Sequence, residues 1–144
     1  MSRPTVSAEE DKQIVREFID EILNRQRVEL VDKLLASDYA LYFPGAPEPM
    51  TRETFPQFIA AFPAAFPDFQ IAVETLIAEG DEVAVRFVLK GTHNGEFMGV
   101  PPTGKKVEVP GHVFYRLREG KIVEDPPIFD RALMLEQLGV MPAR

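Results

Sequence analysis

Residues 124–130 read Glu-Asp-Pro-Pro-Ile-Phe-Asp, which places three carboxylates around a double proline and an apolar pair. A carboxyl group moves protons efficiently at neutral pH only when burial or a neighbouring charge lifts its pKa towards 7. The chemistry of this stretch therefore depends on which carboxylates turn inward. Glu119-Gly120 reads as a two-residue hairpin turn. With that turn, Leu117 faces Ile122, Tyr115 faces Glu124 and Val113 faces Pro126 on one largely apolar face of the sheet. Val107 and Val109 belong to that inward face, whereas Lys106, Glu108, His112, Phe114 and Arg116 belong to the outer one.

This parity makes Glu124 an inward carboxylate and candidate acid/base, with Arg86 and Tyr115 as inner-face groups able to hold a ligand oxygen. Arg86 could equally form a structural ion pair with Glu124. Asp125 then falls on the outer face, as a solvated strand-edge carboxylate near Arg116 or His112. Asp130 has two competing roles. As the N-cap of a final helix it would accept backbone N–H bonds, which lower a carboxyl pKa, whereas a pocket acid/base needs a raised one. Asp130→Asn and Asp130→Ala separate the two roles. His112 reads as a surface or interface residue and His93 as a turn or rim residue.

The elements that must position these groups follow from period and punctuation. Ser7 and Glu10 have capping-box spacing, and Ile14, Phe18 and Ile22, with Val15, Ile19 and Leu23 beside them, predict a first helix through Leu23. Leu30, Val31, Leu34 and Leu35 predict a short second helix, and residues 38–43 a brief strand closed by Pro44-Gly45. Phe55, Phe58, Ile59, Phe62 and Phe66 predict a third helix that Pro63 kinks or ends. From Phe69 the period becomes two: two strands meet at Glu79-Gly80-Asp81, two more at Glu119-Gly120, and a helix from Asp130 stops at Gly139. Helices followed by an antiparallel meander define an α+β chain, and no repeat or linker divides residues 1–144, so one domain is expected.

Composition narrows the function classes. The chain has 144 residues, 45% hydrophobic and 27% charged, which is ordinary for a globular protein. A net charge of −7, with basic residues clustered no further than Lys105-Lys106, argues against nucleic acid or an anionic membrane surface. No cysteine and only two histidines argue against thiol catalysis and a zinc centre. No apolar run approaches the roughly 20 residues of a membrane span, and no signal-peptide pattern is present, so a cytoplasmic location is expected.

Residues 91–109, "GTHNGEFMGVPPTGKKVEV", followed by "GKIVE" and "LEQLG", resemble the SnoaL-like polyketide cyclase family over nearly the whole chain. The resemblance implies a fold similar to nuclear transport factor 2 and ketosteroid isomerase: a curved antiparallel sheet wrapped around a long N-terminal helix, a cone-shaped barrel, often a homodimer. It implies cofactor-free acid/base chemistry, such as cyclisation, isomerisation or hydration, on a small apolar oxygen-bearing molecule. A pocket of roughly 300 to 1,000 Å³ is expected, lined by phenylalanines among Phe18, Phe55, Phe58, Phe62 and Phe87. A second copy is expected on the outer face around Phe114. The alternative is a ligand-binding or accessory dimer that kept the cone without the chemistry. The chain departs from the family pattern at several positions. Asp125-Pro126 stands where relatives commonly have His-Trp, and Val113 where they often have Asp or His. Tyr42 stands where many have histidine, which makes its phenol a further catalytic candidate able to hold an oxyanion, and a gapless comparison puts the cyclase acid on Pro127.

Overall fold

A computed structural model describes residues 7–141. Helix α1 (Ala8–Glu17) starts at the expected capping box: the Ser7 hydroxyl accepts from Glu10 N–H at 3.1 Å, and Ser7 N–H donates to the Glu10 carboxylate at 2.8 Å. It continues as a π-helical stretch over Phe18–Asn24. Val15, Phe18, Ile19 and Ile22 are buried along one stripe, as their spacing predicts. Where the helix ends, the Asn24 amide donates to Ile71 O (3.0 Å) and accepts from Ile71 N–H (2.7 Å). That clamp satisfies the backbone of a sheet edge and fixes the helix across the sheet.

Helix α2 (Val31–Leu34) leads into strand β1 (Leu35–Leu41), which begins three residues before the predicted strand. Strand β2 (Met50–Thr51) and helix α3 (Phe55–Ala65) follow, then β3 (Gln70–Glu79), β4 (Glu82–Thr92), β5 (Lys106–Arg118), β6 (Lys121–Asp125) and β7 (Ile128–Phe129), and finally helix α4 (Arg131–Gln137). Helix α3 runs two residues past Pro63 and ends near Phe66, whose N–H bonds to Phe62 O.

The sheet order is β2-β1-β6-β5-β4-β3, with β7 paired to β5. The meander from β3 to β6 is antiparallel, as the alternation predicts. The β1–β6 pairing is parallel, so the sheet is mixed and does not close into a barrel. Its concave face and α1 enclose the core in an α+β cone fold. Both predicted tight turns form, and Glu119 and Gly120 take φ of +51° and +80°, the left-handed pair that a type I′ hairpin requires.

One irregularity decides the site. Leu117 pairs with Ile122, but Arg116 pairs with Glu124, so one step along β5 is matched by two along β6. Val123 is the extra residue of a β-bulge, and beyond it every side chain of β6 is turned to the face opposite the one simple alternation assigns. After Asp125 the two prolines, which lack N–H groups, end the ladder, and pairing with β5 resumes only at Ile128 and Phe129. Gly111 permits that close return, because a Cβ there would lie 2.6 Å from Ile128 O. Among the described residues no helix is long and apolar enough to cross a membrane.

Candidate active site

The concave face of the sheet, α1 and α3 enclose a cavity of about 80 Å³, smaller than expected. Its wall is almost entirely apolar, with Phe58, Phe62, Phe69 and Phe87 contributing rings. The polar side chains on the wall are Asp125, Tyr115 and Gln26. The Gln26 amide N–H is already used, donating to Leu23 O at 3.1 Å.

Asp125, the last residue of β6, is 4% exposed and points into this cavity. Its Oδ2 accepts a 2.6 Å hydrogen bond from the Tyr39 hydroxyl, a buried phenol on β1, the strand that runs parallel alongside. The backbone binds the same two strands at this point, with Tyr42 N–H donating to Asp125 O at 2.9 Å. The carboxylate is thus held by the neighbouring strand, and the backbone that carries it is paired to the same segment.

Burial pushes the Asp125 carboxyl up to about 7, and the Tyr39 hydrogen bond, which favours the ionised form, opposes that rise. Burial, and secondarily the Asp125 charge, raises both Tyr39 and Tyr115 well above the phenol range. Both phenols therefore stay protonated donors at neutral pH. The Tyr39 donor is committed to Asp125. The Tyr115 hydroxyl has no hydrogen-bond partner among the described residues, so it is available to an oxygen in the cavity. The arrangement joins a carboxyl poised between its two protonation states with an uncommitted donor in an apolar cavity, a pairing suited to proton transfer beside a carbonyl.

The structure rearranges the predicted site. Glu124 is not inward. The bulge turns it to the outer face, where it is half exposed and meets Arg116 at 3.3 Å. Arg86 is outward as well, because the inward positions of β4 are Val83, Val85, Phe87 and Leu89. Its guanidinium bonds to the Thr75 hydroxyl (2.9 Å) and lies 3.6 Å from Glu74. Tyr42 is 50% exposed, and the buried phenol of that strand is Tyr39, three residues earlier and so of opposite parity. Asp130 caps α4, its Oδ1 accepting from Leu133 N–H at 2.9 Å, and it lies off the cavity wall.

Phe58, Phe62, Phe87 and Tyr115 line the cavity as predicted. Phe18 lies behind that wall, 5.7 Å from the Phe55 ring and 5.8 Å from Tyr115. His112 and Phe114 are exposed on the outer face as predicted. His93 is not a rim residue. It is fully buried against Phe66, and its Nδ1 accepts from Thr103 N–H at 3.2 Å.

Strict alternation missed Asp125 and Tyr39. A charge argument bears on Glu124 alone, since an inward Glu124 would abandon an Arg116 that Asp81 and Glu82 also reach, at 3.2 and 3.1 Å; nothing comparable marks Tyr39. Among the described residues, no group of three His, Asp or Glu side chains could hold a metal ion.

Comparison with known proteins agrees with this architecture. The model of the SnoaL-like polyketide cyclase family matches residues 13–138. The chain is similar to IdmH from Streptomyces antibioticus, a proposed polyketide cyclase, at 36% identity over 90% of this chain and 99% of that one, with a TM-score of 0.79. It is similar to AclR from Streptomyces galilaeus, a proposed hydroxylase, at 31% identity over 95% and 89% of the two chains, with a TM-score of 0.81. A SnoaL-like protein from Jannaschia sp. CCS1 shares the fold, with a TM-score of 0.85 at 24% identity over 99% of each chain. No curated protein matches the chain. With a family match across most of its length and a homologous structure covering nine-tenths of it, the chain belongs to the SnoaL-like polyketide cyclase family.

Proposed function

We propose that this protein is a small-molecule enzyme in which Asp125 is the general acid/base for cofactor-free proton transfer on an apolar substrate that carries a carbonyl. The observation that carries the reading is the buried Asp125 carboxyl, raised to about 7 and held by Tyr39 at the wall of an apolar cavity. In the ionised form, Asp125 removes a proton from the carbon beside the carbonyl. The electron pair moves onto the carbonyl oxygen, and Tyr115 O–H hydrogen-bonds the resulting enolate. Asp125 then returns its proton. Where a carbon–carbon double bond lies β,γ to the carbonyl, delivery to the γ-carbon instead of the α-carbon is isomerisation. If the enolate first attacks a second carbonyl of the same molecule, delivery to the new alkoxide completes ring closure. Hydration would use the same carboxyl to take a proton from water as its oxygen bonds to the β-carbon of a double bond conjugated with the carbonyl, and then to return that proton to the α-carbon. Positioned acid/base groups of this kind contribute about 10²- to 10⁴-fold to rate.

The test is deuterium exchange at the α-carbon of methyl ethyl ketone in heavy water, followed by NMR. The protein should accelerate exchange above the buffer rate, and Asp125→Asn should remove about 10²-fold or more of that acceleration. Exchange no faster than buffer, or unchanged in the variant, would discard the reading in favour of a ligand-binding domain.

A further inference from the structure

Asn94 and Gly95 lie at the start of the loop that joins β4 to β5. In such a pair the backbone nitrogen readily attacks the neighbouring side-chain amide, because glycine has no Cβ to shield it. Asn94 is exposed, and its carboxamide has no hydrogen-bond partner among the described residues. The backbone nitrogen is held back. Gly95 N–H donates to Ala65 O at 3.0 Å, and Asn94 N–H donates to the same oxygen at 2.9 Å. Ala65 is the last residue of α3, where a carbonyl has no partner within the helix and is free to take the loop. The approach is so close that a Cβ on Gly95 would lie 2.4 Å from Ala64 O, so packing requires the glycine, while no contact requires the asparagine beside it. The loop is also closed at its base. His93 N–H donates to Lys105 O (2.8 Å), Gly104 N–H to His93 O (2.7 Å) and Thr103 N–H to the buried His93 Nδ1 (3.2 Å). The Thr103 hydroxyl lies 3.0 Å from that nitrogen and accepts from Lys105 N–H at 3.2 Å.

We propose that Asn94–Gly95 is a self-modification site: it deamidates when the loop lifts from the end of α3, and the isoaspartate formed keeps the loop from closing again. With the loop lifted, Gly95 N–H leaves Ala65 O and can lose its proton to hydroxide. The nitrogen bonds to Cγ of Asn94, the Cγ–N bond of the carboxamide breaks, and ammonia leaves with a proton from water. Water then opens the five-membered imide at either carbonyl, giving aspartate or isoaspartate, so water is the only co-reactant. Isoaspartate carries the main chain through Cγ and adds one carbon to it, so the two N–H groups lose the spacing that lets them share Ala65 O. Either product adds a negative charge two residues from Glu96. The same loop holds the Phe97 ring 5.2 Å from Phe66 and 5.6 Å from Phe62, and Phe62 lines the inner cavity. A loop that stays lifted therefore loosens the cavity wall, whatever reaction occurs inside it.

The test needs no substrate. The full chain, Asn94→Gln and Thr103→Val are incubated at mildly alkaline pH, both folded and in guanidinium chloride. Peptide mass spectrometry follows the amide-to-acid mass gain, and isoaspartate is counted by enzymatic carboxyl methylation. The parent should gain mass at Asn94 in both conditions, about 10- to 100-fold more slowly when folded, because two backbone hydrogen bonds must open first. Asn94→Gln should gain none there over the same period, since its imide would need a six-membered ring. Thr103→Val removes the hydroxyl at the base of the loop. It should speed the folded reaction about 2- to 10-fold and leave the denatured rate unchanged. A thermal melt confirms that this variant is folded, and the comparison of folded with denatured parent stands without it. In the isoaspartate form, amide hydrogen exchange across residues 94–97 should be faster than in the parent. A folded chain that reacts as fast as the denatured one, or that stays unmodified for more than about 100 times the denatured half-time, would overturn the site. So would a folded Thr103→Val that reacts no faster than the parent, or an isoaspartate form whose loop amides exchange as slowly as before.

Discussion

Glu124 and Asp125 are chemically similar neighbours in one strand, yet they sit in opposite worlds. Glu124 faces water and a guanidinium that three carboxylates share, with Arg116 reaching Glu124, Asp81 and Glu82. Exposed pairs of that kind contribute about 0 to 1 kcal/mol. Asp125 faces phenylalanines, has one phenol as its hydrogen-bonded side-chain partner, and has its pKa displaced to about 7 by burial. Side-chain chemistry is nearly constant between the two, so the difference in surroundings comes from backbone register. One bulged residue, Val123, sorts a surface ion pair from a buried acid. Inverting that sorting should change stability, proton affinity and activity in an order set by how much water each group has lost.

The largest of these effects on stability belongs to Asp125 and is pH-dependent. In the unfolded chain its pKa is about 3.9. In the folded chain it is about 7, so the folded state binds the proton more tightly. A raised carboxyl contributes its stability in full below the unfolded pKa and loses it as pH rises through the folded one. Asp125→Asn stays neutral throughout. Relative to the parent, the variant should therefore gain stability between about pH 4 and pH 8, by on the order of 4 kcal/mol at most. Denaturant unfolding of both proteins across that range measures it, and a difference that stays flat with pH would mean that Asp125 titrates as a solvated group.

Tyr39 should produce the next effect. Its hydroxyl stabilises the ionised carboxylate, so Tyr39→Phe should raise the Asp125 pKa further and move the base-dependent rise in α-proton exchange to higher pH. The loss of one buried hydrogen bond should cost about 1 to 3 kcal/mol of stability. A pH profile that does not move, even if the rate falls, would reduce Tyr39 to a packing residue.

Much of this architecture is written in local patterns. The capping box at Ser7 and Glu10, the Phe18 and Ile22 stripe, both tight turns and the Gly139 stop act over a few residues and appear where the sequence places them. The aromatic wall was equally legible, since Phe58, Phe62 and Phe87 belong to runs with clear periods. What resisted reading is non-local. The parallel β1–β6 pairing joins segments more than 80 residues apart, and it is this pairing that brings Tyr39 to Asp125. The β6 bulge leaves no composition signal of its own and inverts every face beyond it, so a parity argument sound up to Ile122 fails two residues later. His93 is a similar case: a turn-rich segment hides that its ring packs on Phe66 from α3's C-terminal end.

Glu124 and Asp130 complete the comparison as the carboxylates near Asp125 that sequence patterns favoured. Asp130 accepts a backbone N–H at the start of α4, an interaction that asparagine reproduces and alanine does not. Asp130→Asn should keep that cap and leave exchange per folded molecule almost unchanged. Asp130→Ala should cost about 0.5 to 2 kcal/mol with the exchange rate per folded molecule retained. Glu124→Gln removes one of three carboxylates around an exposed guanidinium and should cost no more than about 1 kcal/mol, again without loss of exchange. Unfolding curves measure the stabilities, and exchange normalised to folded protein measures the chemistry. A collapse of exchange in Asp130→Asn or Glu124→Gln, with stability intact, would move the proposed acid/base role away from Asp125, and for Glu124 it would also require β6 to adopt a different register.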